Sequence, residues 1–138
     1  MSFLLDTNVI SELVRARPDQ NVTRWIDILP SEALFLSVLS LGEIRKGVEK
    51  LATGSRRDRL VTWLEHDLPT WFGDGILPVD ALVADRWGIL IGQTGRSVPA
   101  IDSLLAATAL VHNLTLVTRN VGDFDFPDLK VFNPWSEN

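Results

Sequence analysis

Four carboxylates in this chain fall where chemistry could use them: Asp6, Glu43, Asp102 and Asp123. Asp6 ends the short apolar run Phe3-Leu4-Leu5 and stands just before a helical pattern. A continuous apolar run of this kind marks a strand buried on both faces. The carboxyl end of such a strand is where ligands bind in open α/β sheets. Glu43 lies about one turn into the helix that follows a second apolar run, and Asp123 follows a third, in Thr118-Arg119-Asn120-Val121-Gly122-Asp123. Three of the four therefore map to one edge of a sheet. Asp102 is placed only in the first turn of a helix opened by Pro99, and spacing alone does not bring it to the others.

If the acids gather, electrostatics restrict what they can do. Two carboxylates about 4 Å apart repel by roughly 4 kcal/mol at an effective dielectric of 20. A group of them must share protons or a cation. With oxygen donors only, Mg²⁺ or Mn²⁺ is the natural partner. Such an ion can acidify a bound water and offset charge on a phosphate. Thr7, Ser40, Thr118 and Asn120 are candidates to hold the carboxylates or the water from behind. Each acid also has an ordinary reading. Asp6, Thr7 or Asn8 could cap the next helix. Ser40 and Glu43 have the spacing of a capping box. Asp102 suits a helix dipole, and Asp123 or Asp125 could be turn residues around Gly122 and Pro127. None of these explains why the acids share an edge.

Other chemistries find less support. There is no cysteine, hence no disulfide framework and no thiolate zinc site. His66 and His112 lie in or at the end of helices with no serine or cysteine placed as a nucleophile, and they read as structural or surface residues. Neither a GxxxxGK[ST] phosphate loop nor a GxGxxG turn is present. A phosphatase with an aspartate after its first strand would want a second Asp where Asn8 stands, and a lysine after the third strand, where Thr118-Arg119-Asn120 stands.

The elements that must position these residues alternate. A strand over Phe3–Leu5 leads to a helix over 9–14, ended by Pro18, and a second over 21–29, ended by Pro30. A strand over 33–38 is followed by a helix opening at Ser40 and stopping at Gly54, then a longer one over 55–67. A short strand over 77–79, a helix over 81–94, a helix from Pro99 to 111 or 112, a strand over 114–118 and a last strand over 130–132 complete the pattern. Strands separated by helices imply a parallel sheet covered on both faces, with right-handed crossovers. No repeat or linker interrupts it, so one α/β domain is expected over residues 1–138.

Composition agrees. A 138-residue chain with 46% hydrophobic and 22% charged residues is that of a soluble globular domain. No apolar run is long enough to span a bilayer and no secretion signal opens the chain, so no membrane role is expected and a cytoplasmic location is the default. A net charge of −5 argues against holding nucleic acid chiefly through a basic surface, though bound cations would change the local charge. The basic clusters Arg56-Arg57 with Arg59, and Arg45-Lys46, read as solvated helix faces or as grips for a polyanion. Trp25, Trp63 and Trp87 read as packing, and Trp71-Phe72 as a partly exposed patch.

The motifs resemble a known family. Leu4-Leu5-Asp6-Thr7-Asn8-Val9-Ile10-Ser11-Glu12-Leu13 is similar to the opening of PIN-domain proteins, in particular VapC toxins of the FitB-like group. Ser40-Leu41-Gly42-Glu43-Ile44-Arg45-Lys46-Gly47 resembles that group's second motif, Pro99-Ala100-Ile101-Asp102 with Ala106-Ala107-Thr108-Ala109 its third, and Leu116 to Phe124 its fourth. The resemblance covers nearly the whole chain in order. It implies a PIN-like three-layer sandwich whose central, mainly parallel sheet is covered by helices on both faces. It implies Mg²⁺- or Mn²⁺-dependent cleavage of RNA by a metal-activated water, leaving a 5′-phosphate and a 3′-hydroxyl. By motif position Asp6, Glu43, Asp102 and Asp123 would bind the metal, with Asp125 the neighbouring alternative for the last. Thr118 and Asn120 would be polar support, and Glu12 has no chemical role beyond that of a salt-bridge partner. The implied partners are RNA, a cognate antitoxin with a ribbon-helix-helix part through which any DNA is bound, and a second copy in a homodimer, to which the helix of Trp63 and Leu64 could contribute. The competing reading is a PIN-fold binding module that sequesters an antitoxin or RNA without useful turnover.

Overall fold

A computed structural model describes residues 1–136; the last two residues of the expected domain, Glu137 and Asn138, lie outside it. Five strands form one sheet in the order β3-β2-β1-β4-β5. They are β1 (Phe3–Leu5), β2 (Leu34–Ser37), β3 (Ile76–Leu77), β4 (Thr115–Val117) and β5 (Val131–Phe132). Every pairing is parallel, with Leu4 opposite Leu116 and Leu5 opposite Val117. The first strand is thus the central one, which is why Leu4 and Leu5 are apolar on both faces and wholly buried.

Alternation along β1 sorts the core into two layers. Phe3 and Leu5 face one side, where α1 (Thr7–Leu13), α2 (Gln20–Asp27), α3 (Val38–Glu49) and α5 (Leu68–Phe72) contribute buried Val9, Val22, Ile44, Val48 and Leu68, and α4 (Ser55–Thr62) packs half-buried Leu60 and Val61 against them. Leu4 faces the other, against Leu90 of α6 (Ala81–Gln93) and Leu105, Ala106 and Ala109 of α7 (Ala100–His112). The expected three layers are present.

Several boundaries differ from the sequence reading, each for a local reason. The third helix opens at Val38, not Ser40, because Ser37 ends β2 and accepts the Leu39 amide at 3.0 Å. No capping box forms: Ser40 is inside the helix and Glu43 bonds elsewhere. The helix expected to stop at Asp67 runs on through a π-helical turn, Trp63–Asp67, into α5. There the Leu68 amide donates to the Trp63 carbonyl. The wider turn puts Pro69 in a first turn, where its missing donor costs nothing. Of the expected partly exposed pair, Phe72 is buried in the core cluster with Leu64, while Trp71 is half-buried and packs against it. The third strand lies one residue earlier than expected. Gly75 lets it approach β2, since a Cβ there would meet the Leu34 carbonyl oxygen at 3.0 Å.

Candidate active site

β1 ends at Leu5, and its next residue, Asp6, is only 8% exposed. Its Oδ1 accepts the Thr7 amide at 2.7 Å and so caps α1. Its Oδ2 accepts the Thr118 hydroxyl at 2.8 Å. The capping reading of Asp6 therefore holds for one oxygen, while the other is tied to Thr118. Thr118, just past β4, is fully buried. It accepts the Asn120 amide at 3.1 Å and Asn8 Nδ2 at 3.3 Å. A hydroxyl has one proton and two lone pairs, so with both acceptor places used its proton goes to Asp6. Adjacent parallel strands thus tie the first motif to the last.

Glu43 projects from α3 towards α1, where the Thr7 hydroxyl donates to Oε1 at 2.6 Å. Thr7 and Thr118 each donate a hydroxyl proton to one carboxylate. Asn120 contributes its backbone amide rather than its side chain. Ser40 is wholly buried, one turn before Glu43, and its Oγ is without a hydrogen-bond partner among the described residues.

Asp102 stands in the first turn of α7. Its carboxyl is held above the ordinary value by burial first, then by the negative charges of Asp6, Asp123 and Glu43. Asp6 is also raised, chiefly by burial; the Thr118 and Thr7 hydrogen bonds pull it down, and the charges of Glu43 and Asp123 push it up again. The fold has brought Asp102 within electrostatic reach of the other acids, which spacing could not do. Asp123, exposed in the 3₁₀ turn Val121–Phe124, is the last acid whose charge reaches this group. Asp125 instead offers its carbonyl to Arg96 at 2.8 Å.

Among the described residues, no three acidic or histidine side chains are set to enclose one ion. The donor chemistry nevertheless fits a hydrated hard dication. Mg²⁺ binds through one or two carboxylates and keeps several waters, and the raised Asp6 and Asp102 carboxyls are those a cation would relieve.

Two residues carry more than the sequence reading assigned them. Asn8 bridges the first and last motifs, donating to Thr118 and accepting the Arg119 amide at 3.4 Å. Its place beside Asp6 and Thr7 was the available signal. Glu12 is buried; it accepts the Asp19 amide at 2.8 Å and pairs with Arg15 at 3.2 Å, tying α1 to the start of α2. The salt-bridge reading of Glu12 holds.

A groove of about 1330 Å³ opens from Thr7, Asn8 and Glu43. A smaller hollow of about 310 Å³ beside Arg96 and Pro127 lies apart from the acids.

The family model described as PIN domain matches residues 3–129. The chain is similar to the toxin FitB of Neisseria gonorrhoeae, 39% identical over 97% of this chain and 99% of that one. It is also similar to the VapC ribonuclease Y4jK of Sinorhizobium fredii, 35% identical over 96% of each. A solved structure of FitAB bound to an IR36 DNA fragment superposes with a TM-score of 0.90 at 37% identity, covering 99% of this chain and 97% of that chain.

Proposed function

Because the chain belongs to the PIN-domain family, in the branch that includes the FitB toxin and the VapC ribonucleases, we propose that it is a divalent-metal-dependent endoribonuclease, the toxin of a type II toxin–antitoxin pair, acting as a single domain. The observation that carries the reading is that Asp6 at the end of β1 and Asp102 in the first turn of α7 are each raised by burial and then by the charges of Glu43 and Asp123. In this reading the four carboxylates hold Mg²⁺ or Mn²⁺. When bound, the ion supplies an acidified water and offsets charge on the scissile phosphate.

The chain's own part is positional. Thr118 keeps Asp6 in one rotamer, and Thr7 does the same for Glu43. The amino-terminal end of α7 lies beside Asp102, and its dipole favours the ionised carboxylate there. A cognate antitoxin that carries the DNA-binding part, a homodimer and a cytoplasmic location complete the proposal. They rest on the family resemblance, with the FitAB–DNA structure as support for the partner and for DNA in the assembly. Exposed Leu82 and Ile89, seven apart on α6, are available to a second copy. Among the described residues no helix is long and apolar enough to cross a membrane.

The test is cleavage of a defined RNA pool by antitoxin-free protein with Mg²⁺ or Mn²⁺, then with EDTA. Cleavage should require the ion and fall to background in folded Asp6→Asn and Asp102→Asn. Equal cleavage by wild type and variants would identify a contaminant. No cleavage across a broad pool would turn the reading towards a binding module.

A further inference from the structure

Trp87 stands apart from the other tryptophans. Trp25, Trp63, Trp71 and Trp135 pack against the core that α1 to α5 build on one side of the sheet. Trp87, half-buried on α6, belongs to neither apolar cluster among the described residues. Its indole N–H donates instead to the Ser103 hydroxyl at 2.8 Å. Ser103 is wholly buried and directly follows Asp102 on α7.

The direction of these bonds is fixed by chemistry. An indole nitrogen can only donate, and a hydroxyl has one proton and two lone pairs. With a lone pair taken by Trp87, the Ser103 proton is shared between the Pro99 and Ala100 carbonyls, at 3.1 and 3.0 Å. The Pro99 carbonyl also accepts the Ser103 amide at 3.1 Å. Back-bonding of this kind lends a helix little stability. Its effect is to fix the rotamer of Ser103, and with it the first turn of α7 against α6.

That turn has little else to hold it. Asp6, Asp19, Ser37 and Asp80 cap α1, α2, α3 and α6 through a side-chain oxygen, a contact worth about 1 kcal/mol. Pro99, at the same place on α7, has no such oxygen, and no side-chain cap forms. Successive residues on a helix project about 100° apart. Ser103 can therefore face α6 while Asp102 lies under the charges of Asp6, Asp123 and Glu43. Whatever sets the rotation of Ser103 sets that of Asp102. A reacting group must be held to roughly 0.5 Å and 10–20°, and a displacement of about 1 Å can cost 10²-fold in rate.

We infer that Trp87 and Ser103 are a positioning pair for Asp102, holding the first turn of α7 in the rotation that turns the Asp102 carboxylate towards the other acids and a divalent ion. Neither side chain touches the reacting atoms. The inference rests on the ribonuclease reading and adds the two residues through which α6 acts on the site.

Trp87→Phe keeps an aromatic ring and removes the donor; Ser103→Ala removes the acceptor. Each is compared with wild type well below its melting temperature, by calorimetric Mn²⁺ binding to metal-stripped protein and by kcat and KM on an RNA that wild type cleaves. Both variants should bind Mn²⁺ roughly tenfold more weakly. Their kcat should fall by a similar factor while KM for the RNA stays within about twofold. The double variant should be no worse than the worse single one, since each removes the same link. Leu110→Ala is the control. Leu110 packs half-buried against the core about 12 Å further along α7, so its loss should lower the melting temperature and leave Mn²⁺ affinity and kcat alone. Unchanged Mn²⁺ affinity and kcat in Trp87→Phe, equal losses in Leu110→Ala, or losses that multiply in the double variant would overturn the pair. The nuclease reading is judged on wild type. Mn²⁺ binding without cleavage sinks that reading alone, and the Mn²⁺ constants still decide the pair; a wild type that binds no Mn²⁺ sinks both.

Discussion

At the scale of single residues, Thr118 does the most for its size. It serves Asp6, Asn8 and Asn120 at once, so Thr118→Val leaves a buried carboxylate oxygen and a backbone amide unpaired. The expected cost is about 1–3 kcal/mol of stability and roughly 10–100-fold in activity or metal affinity. Thr118→Ser should restore most of both, as read by chemical denaturation and cleavage rate. Asp102 should behave in the opposite sense. Its carboxyl is raised in the folded protein by burial and by its acidic neighbours. The folded state therefore binds more protons than the unfolded state between the ordinary carboxylate value and the raised one. Stability is lost as pH climbs through that window, and the loss is complete above the folded value. In EDTA at neutral pH, Asp102→Asn should melt at a higher temperature than wild type while failing to cleave RNA. The difference should vanish below the ordinary carboxylate range. A variant that melts lower at neutral pH would mean that the acids do not strain one another.

At the scale of elements, two glycines that look alike in the sequence have opposite roles. Gly75 precedes β3 with the Leu34 carbonyl oxygen 3.0 Å from where a Cβ would sit. Because that neighbour is backbone in a parallel ladder, Gly75→Ala should destabilise by about 1–3 kcal/mol. Gly47 lies within α3 with open space around it, so Gly47→Ala should stabilise by about 0.5–1 kcal/mol. Urea unfolding of the two variants decides both. The start of α3 was less legible. Ser37 and Ser40 both suit a cap, and Ser40 alone has Glu43 at capping-box distance. Glu43 is drawn away by the Thr7 hydroxyl, 36 positions earlier in the chain, and a local pattern cannot register that competition.

At the scale of the whole molecule, strand order creates the site. The chain leaves β1 to build β2 and β3 on one side, then returns to form β4 and β5 on the other. The crevice therefore opens at the carboxyl ends of β1 and β4, where the winding reverses. α7 packs under that crevice and carries Asp102 in its first turn. A site of clustered carboxylates should make the fold sensitive to divalent ions. With Mn²⁺ at about 100 times its dissociation constant, wild type should gain about 2.7 kcal/mol, visible as a raised melting temperature that EDTA reverses. Asp6→Asn and Asp102→Asn should show little of this shift. An equal shift in the variants would put the ion elsewhere.

What the sequence determined by itself was whatever is written locally. The apolar runs that become β1, β2 and β4, the helices between them and the parallel, helix-covered plan were all legible, because burial and backbone propensity act over a few residues. The order of the motifs then pointed to the family. Only the tertiary structure decided that Asp102 comes under the charges of the other acids, that Thr118 donates to Asp6 across 112 positions, and that Arg57 is bound to Glu49 while Arg56 and Arg59 are exposed. These depend on which distant side chain arrives first at a shared partner. Such a contact leaves no period, cap or turn in the sequence by which to read it.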